Sequence, residues 1–219
     1  MERHNWAVRL QHWLVALSTF ILIFTGIGQM PVYKRYMVDQ LPGLGWSSDY
    51  SITVALHYGA ALVLVFAAVF HLCYLIFSKK YDILPKKGDV KESFLIIKSM
   101  FGLGKEPPSA KYLAEQRVAY AYMVFWFAVI IISGLVKTIK NLPGVELPAG
   151  FIALNTHLHN LAMIFLLLGI VAHLGAFLLK PNWPLVPSMF TGKVSEEYAR
   201  KRHPFWSEVV KKSSQENRA

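Results

Sequence analysis

The chain has 219 residues, is 54% apolar and carries a formal net charge of +10. Its mean hydropathy is positive, too hydrophobic for a soluble fold of this size, and it reads as one polytopic all-α membrane domain over 1–219. The Lys and Arg residues flank apolar stretches instead of forming a separate basic face, which argues against nucleic acid as a partner.

The first apolar span covers 10–30 and opens with His12. Its apolar run is long and ends in Gly28-Gln29-Met30-Pro31, without a small-residue cleavage site, so it reads as a retained helix and not a cleavable signal. The second span, 52–77, holds His57 and His71. A polar segment, 78–117, follows. Within it, 91–101 groups its apolar residues as a short amphipathic helix on the membrane surface, broken by Gly102, Gly104, Pro107 and Pro108. The third span, 118–139, has no histidine; the fourth, 151–179, has His157, His159 and His173, and a basic tail runs over 180–219.

His159 and His173 lie deep in an apolar helix, where ionisable groups are expensive and retained mainly for function. The fourteen-residue interval advances about 21 Å and turns about 1400°, so both rings leave nearly one face, roughly 40° apart. One ring then falls in each half of a hydrocarbon core about 30 Å thick. His57 and His71 repeat the separation. Two stacked imidazoles on one span are what a protein needs to hold two haems, one above the other. Cys73 is the single cysteine and reads as a small buried apolar residue. One cysteine leaves no thiolate cluster and no C-x-x-C-H attachment, so the haems are b-type, held by imidazoles and packing.

Charge sets the orientation. Of 23 Lys and Arg, nine lie in 78–117 and eight in the tail, whereas 31–51 and 136–150 share Lys34, Arg35, Lys137 and Lys140. The positive-inside bias puts both termini and the middle loop in the cytoplasm. His57 and His159 then lie in the outer half and pair across an outer haem. His173 in the inner half has two candidate partners, His12 and His71, with spacing favouring His71. His157 is turned about 200° from His159 and faces headgroups, a neighbouring helix or a propionate. Gly26, Gly59, Gly134 and Gly169 serve either close approach of a macrocycle or helix packing. Trp13, Trp126 and Phe177 could wall haem pockets, but aromatics in such helices are more often packing or interface anchors. His4 and His203, outside the spans, read as solvated, and segment 192–210 lies on the membrane surface or docks a partner helix.

Several motifs resemble the cytochrome b (gamma) subunit of respiratory formate dehydrogenases, and more widely the cytochrome b subunits of nickel–iron hydrogenases. They are Arg9-Leu10-Gln11-His12-Trp13, Leu56-His57-Tyr58-Gly59, the His159 and His173 pair, and Gly192-Lys193-Val194-Ser195 followed by Tyr198-Ala199-Arg200-Lys201-Arg202-His203-Pro204-Phe205-Trp206. The loop Lys111-Tyr112-Leu113-Ala114-Glu115-Gln116-Arg117, leading to Phe125-Trp126, matches in part. The resemblance implies a four-helix dihaem bundle in which His12 pairs with His173 and His57 with His159, leaving His71 as a departure. It also implies a site for menaquinone or ubiquinone beside the inner haem. That site uses Lys111, Tyr112 and Gln116, with Leu113 standing where the family has Asn. The expected partners are an iron–sulfur subunit on the periplasmic face, a large molybdenum or tungsten catalytic subunit, and membrane lipid. A hydrogenase or other molybdoenzyme cytochrome, a free-standing cytochrome b561-like carrier and a haem-free transporter are the alternatives. No carboxylate dyad, nucleophile elbow or phosphate loop occurs in a suitable setting, so primary substrate oxidation lies in another subunit.

Overall fold

The computed structural model describes residues 1–216; positions 217–219 of the predicted tail lie outside the described residues. The described residues are helical apart from connecting turns and an isolated antiparallel bridge between Glu2 and Lys193. They form two compact units, one of residues 5–79 and the other of 1–4 together with the chain from 80 onward.

The first unit is a hairpin of α1 (Trp6–Gly28) and α3 (Tyr50–Ser78), joined through the short α2 (Pro31–Arg35) and two 3₁₀ turns. Helix α1 starts at Trp6, earlier than the apolar pattern suggests, because the Asn5 side chain caps it by accepting from the Val8 N–H at 3.0 Å. The Asp49 carboxylate does the same for α3, accepting from Ser51 and Ile52. The helices run antiparallel: Asn5 donates to the Tyr74 hydroxyl at one end (2.9 Å), and Gly28 lies beside Thr53 at the other. A Cβ on Gly28 would sit 3.1 Å from the Ser47 carbonyl oxygen, so this close approach uses the missing side chain.

The second unit contains α4 (Asp89–Met100), α5 (Ala114–Ile139), α6 (Ala149–Gly175), α7 (Ser188–Thr191), α8 (Glu196–Arg202) and α9 (Ser207–Glu216). Helices α5 and α6 form a second antiparallel hairpin, with Trp126 stacked on Phe165 at 4.2 Å and the Tyr122 hydroxyl donating to the Phe165 carbonyl. Trp126 thus packs across the two helices. A Cβ on Gly169 would come within 2.6 Å of Met123 Sδ, so this glycine lets the two helices meet. A 3₁₀ turn, Ala176–Leu178, extends α6.

Helix α4 is the predicted amphipathic helix, and Gly102 and Gly104 after it adopt positive φ of 79° and 111°. Its inner face, Ile96, packs with Leu113, Ala114 and Met100. The departure at Leu113 has a physical reason here: this side chain is wholly buried in that apolar contact. Below it, Asp89 and Arg117 form a buried bidentate pair at 2.8 and 2.6 Å, and Arg117 also donates to the Tyr112 carbonyl at 2.6 Å. The chain start folds onto the tail: the Met1 ammonium donates to the Val194 carbonyl and Arg3 N–H to the Gly192 carbonyl. Val194, Ala199, Trp206 and Val209 form the small core of this region.

Four helices among the described residues are long and apolar enough to cross a membrane, and large side chains such as Leu62, Phe66 and Phe77 on α3 or Leu154 and Val171 on α6 are exposed. Hydrocarbon, not water, suits such surfaces. Cys73 belongs to this exposed surface and is not buried as expected, because the helix pair is too thin to enclose that face of α3.

Hydrogen bonds from Arg117 hold the Asp89 carboxyl below its usual range, opposed by its burial. A depressed carboxyl stabilises the fold above its unfolded pKa near 3.9, and that contribution fades only as pH falls through the lower folded value. Asp89→Ala leaves the buried Arg117 without its counter-charge and is expected to cost about 3–5 kcal/mol. Protease cleavage within 101–113, compared between the variant and the native protein at neutral pH, reads this as faster nicking.

Candidate functional site

His57 on α3 faces the Thr25-Gly26 step of α1, with Thr25 Oγ1 2.9 Å from His57 Nδ1. The Thr25 hydroxyl already donates to the Ile21 carbonyl one turn earlier, at 2.7 Å, with a weaker share to Leu22. It can therefore only accept from the imidazole, which places the ring proton on Nδ1 and leaves Nε2 as the unprotonated nitrogen. The same construction recurs in the second unit. His159 Nδ1 lies 2.9 Å from Ser133 Oγ, and Ser133 donates to the Val129 carbonyl at 2.7 Å. Asn155, one turn before His159 on α6, ties the hairpin further by donating to the Ser133 carbonyl.

The adjoining glycines lie against these rings, Gly134 more tightly than Gly26. A Cβ on Gly26 would lie 3.5 Å from His57 Cε1, and one on Gly134 3.3 Å from His159 Cε1. At these two positions the protein group closest to the glycine is the imidazole. Among the described residues, none comes within 4 Å of a Cβ added at Gly59. Elsewhere, His12 meets the edge of Trp13 at 5.2 Å, and His173, on an exposed face of α6, meets Phe177 at 5.3 Å. His71 is half-buried on α3, and His157 is exposed. His57, His71 and His12 belong to the first unit and His159 and His173 to the second, so each predicted pair takes one ring from each.

The predicted loop residues come together with residues not foreseen for the site. Gln116 Oε1 accepts from the Leu113 N–H at 3.3 Å, capping α5, and from Arg3 Nη2 at 3.4 Å. Lys111 Nζ lies 5.7 Å from the Tyr112 ring and 5.5 Å from Trp206, while Arg3 Cζ lies 5.4 and 5.9 Å from the same rings. His203 is wholly buried, contrary to the solvated position expected of it. Its Nδ1 donates to the Ala110 carbonyl at 2.7 Å, and its Nε2 faces Arg3 Nη1 at 3.4 Å. The tail and the chain start close over the 110–116 loop, an arrangement that no local pattern in either segment announces.

Residues 3–192 match the prokaryotic cytochrome b561 family. The chain belongs to that family. The formate dehydrogenase cytochrome b556 subunit of Haemophilus influenzae is 22% identical over 219 residues, covering 96% of this chain and 84% of that protein. This cytochrome b561 is accordingly a multi-pass membrane electron-transport protein of the haem b class. The residues present fit that cofactor. An imidazole whose Nδ1–H is given to a fixed acceptor has the tautomer and ring orientation that an axial ligand needs, and the hydrogen bond raises the basicity of Nε2. Thr25, Ser133 and Asn155 were missed in the sequence. The signal available was the repeated hydroxyl–glycine step, Thr25-Gly26 and Ser133-Gly134, on the helix preceding each histidine helix.

Burial first, and the neighbouring Arg3 second, push the His203 pKa down to about 4. The unfolded ring titrates near 6.5, so between those values the unfolded chain binds the extra proton and stability rises with pH. The cytochrome's tail should be fully docked above about pH 7 and lose about 3 kcal/mol of docking free energy as pH falls from 6.5 to 4. Hydrogen exchange of residues 194–210, corrected for its intrinsic pH dependence, is expected to quicken over that range. His203→Gln should flatten the response.

Proposed function

We propose that this cytochrome b561 is the dihaem membrane-anchor subunit of a formate dehydrogenase-like respiratory oxidoreductase in a prokaryotic inner membrane. Electrons enter from an iron–sulfur subunit on the periplasmic face, cross the bilayer and reduce menaquinone or ubiquinone on the cytoplasmic side, where both termini and the middle loop lie. The observation that carries the reading is the hydroxyl-anchored histidine built identically into each hairpin; the name of the Haemophilus influenzae relative supports formate as the upstream reductant.

His57 and His159 hold the outer haem, and His12 and His173 the inner one, with His71 the competitor of His12. Bound haem b supplies reversible one-electron transfer at its iron. The chain's part is to fix the rings: Thr25 and Ser133 set their tautomer, Gly26 and Gly134 their approach, and the apolar helices exclude water. Lys111, Tyr112 and Gln116 receive the quinone. Inward flow opposes a negative-inside potential by about 2.3 kcal/mol per charge per 100 mV, so the donor must be strongly reducing, as formate is. The family match by itself also suits a free-standing carrier; co-purification of a catalytic and an iron–sulfur subunit separates the two.

Two haems b per chain are expected, both six-coordinate and low-spin. His57→Ala and His159→Ala should each lose the same haem and His12→Ala the other, whereas His71→Ala should keep both. Reduced-minus-oxidised spectra of the four variants decide the set, and loss in His71→Ala with retention in His12→Ala reverses the inner assignment.

The anchoring hydroxyls give a finer test. Thr25→Val and Ser133→Ala should keep the fold yet weaken haem retention about 10–100-fold, as removal of an outer hydrogen bond does at other metal-bound histidines. Gly134→Ala, with the tighter contact, should disturb the spectrum more than Gly26→Ala. Haem content under competition with apo-myoglobin measures both.

A further inference from the structure

The cluster of Arg3, Lys111, Tyr112, Gln116, His203 and Trp206 is one-sided in its chemistry. Arg3 is only 3% exposed, yet its guanidinium meets neutral partners: His203 Nε2, Gln116 Oε1 and the faces of Tyr112 and Trp206. Lys111 shares the same two rings. Among the described residues neither cation has a carboxylate within ion-pair distance, unlike Arg117 with Asp89 or Arg202 with Glu106. Burial pushes both cations below their usual ranges. Repulsion from Arg3 adds to the effect at Lys111, where Glu208 offsets part of it from a distance, and repulsion from Arg202 adds to it at Arg3. Two cations this close and this desolvated are costly unless an anion shares the site.

The hydrogen bonds point the same way. His203 is neutral, with Nδ1–H committed to Ala110 and its Nε2 lone pair turned to Arg3. Both groups bonded to Gln116 Oε1, the Leu113 N–H and the Arg3 guanidinium, are donors, so the amide orientation is determined and its NH₂ is left to donate. The cluster offers amide and ammonium donors and positive charge.

We propose that this cluster recognises the quinone headgroup in its negatively charged form, with Lys111 and Gln116 as contacts and Arg3 as the positioning cation behind them. The inference rests on the quinone reading given above. Quinone becomes quinol by taking two electrons and two protons. The electrons come singly from ferrous haem b, which returns to the ferric state, and the protons come from water. Charge therefore builds on the carbonyl oxygens before protonation is complete, and preorganised donors and cations lower the cost of that charge. Arg3 orients the Gln116 amide by holding its oxygen and adds its field through the aromatic pair.

The test uses the purified holo-cytochrome in detergent and two probes of one ring system: a hydroxynaphthoquinone, ionised at neutral pH, and its uncharged methyl ether. Binding of each is measured by calorimetry, with haem content and spectrum recorded alongside. The native protein should prefer the ionised probe by on the order of tenfold, the size of a partly screened charge pair. Lys111→Gln and Arg3→Gln should each erode that preference several-fold while leaving affinity for the methyl ether close to native. Lys111→Arg, which keeps the charge, should restore it. Equal binding of both probes to the native protein would overturn the anion inference and leave the quinone reading standing. If neither probe binds, and menaquinone analogues reoxidise the haems of Lys111→Gln at the native rate, the quinone reading fails at this cluster as well. Should Arg3→Gln shift a haem midpoint potential and leave the probe preference intact, the cations serve a haem propionate and the proposal is wrong.

Discussion

An imidazole inside an apolar helix must give its N–H to some acceptor, because lipid provides none. Each hairpin of this cytochrome meets that demand with a hydroxyl whose own proton is already spent on its helix backbone. The outcome is chemical as well as structural. With Nδ1 protonated and held, Nε2 is the nitrogen available to iron, and the ring cannot swing without breaking the bond. The glycine after each hydroxyl lies against the ring: a Cβ at Gly134 would crowd the His159 ring carbon at 3.3 Å, and one at Gly26 would meet His57 at ordinary contact distance, 3.5 Å. A serine or threonine inside a helix commonly bonds back to the preceding turn; here that habit fixes the direction of the imidazole hydrogen bond.

The loop ahead of α5 is organised by charge. Asp89 and Arg117 pair where neither could stand alone, and Arg117 uses its remaining donor to hold the Tyr112 carbonyl. The backbone of 110–113 is thereby pinned from below by the ion pair and from above by His203, which donates to Ala110. Between these ties lie Lys111 and Tyr112, whose side chains face the tail. Contrast with Arg202 is instructive. That guanidinium meets Glu106, Asn182, Tyr198 and the Pro181 carbonyl, a neutralised structural cation, whereas among the described residues Arg3 has no carboxylate in ion-pair contact. Electrostatics thus distinguishes a neutralised scaffold cation from one held among neutral partners.

Helices, their order and the histidine ladder were legible in the sequence because both signals are local and periodic: twenty or more apolar residues in a run, and rings at fixed helical intervals. Boundaries shifted by a few residues where polar caps at Asn5 and Asp49 extended helices past the apolar pattern. The hydroxyl partners of His57 and His159 were not legible, since Thr25 and Ser133 lie 32 and 26 residues away and look like ordinary small helix residues until the hairpins close. Gly26 and Gly134 could not be told from Gly169 for the same reason: one sequence context serves imidazole clearance in two cases and helix packing in the third. His203 shows the limit most clearly. A histidine in a polar, charged tail reads as solvated, and only folding of the chain start onto that tail, 200 residues away, buries it beside Arg3. The sequence by itself determined the membrane helices and the rings they carry, because hydrophobic length and helical repeat are properties of a single segment. Tertiary structure alone decided which nitrogen His57 and His159 present and, among the described residues, which buried cations meet a carboxylate, because those depend on atoms that meet only after distant segments pack.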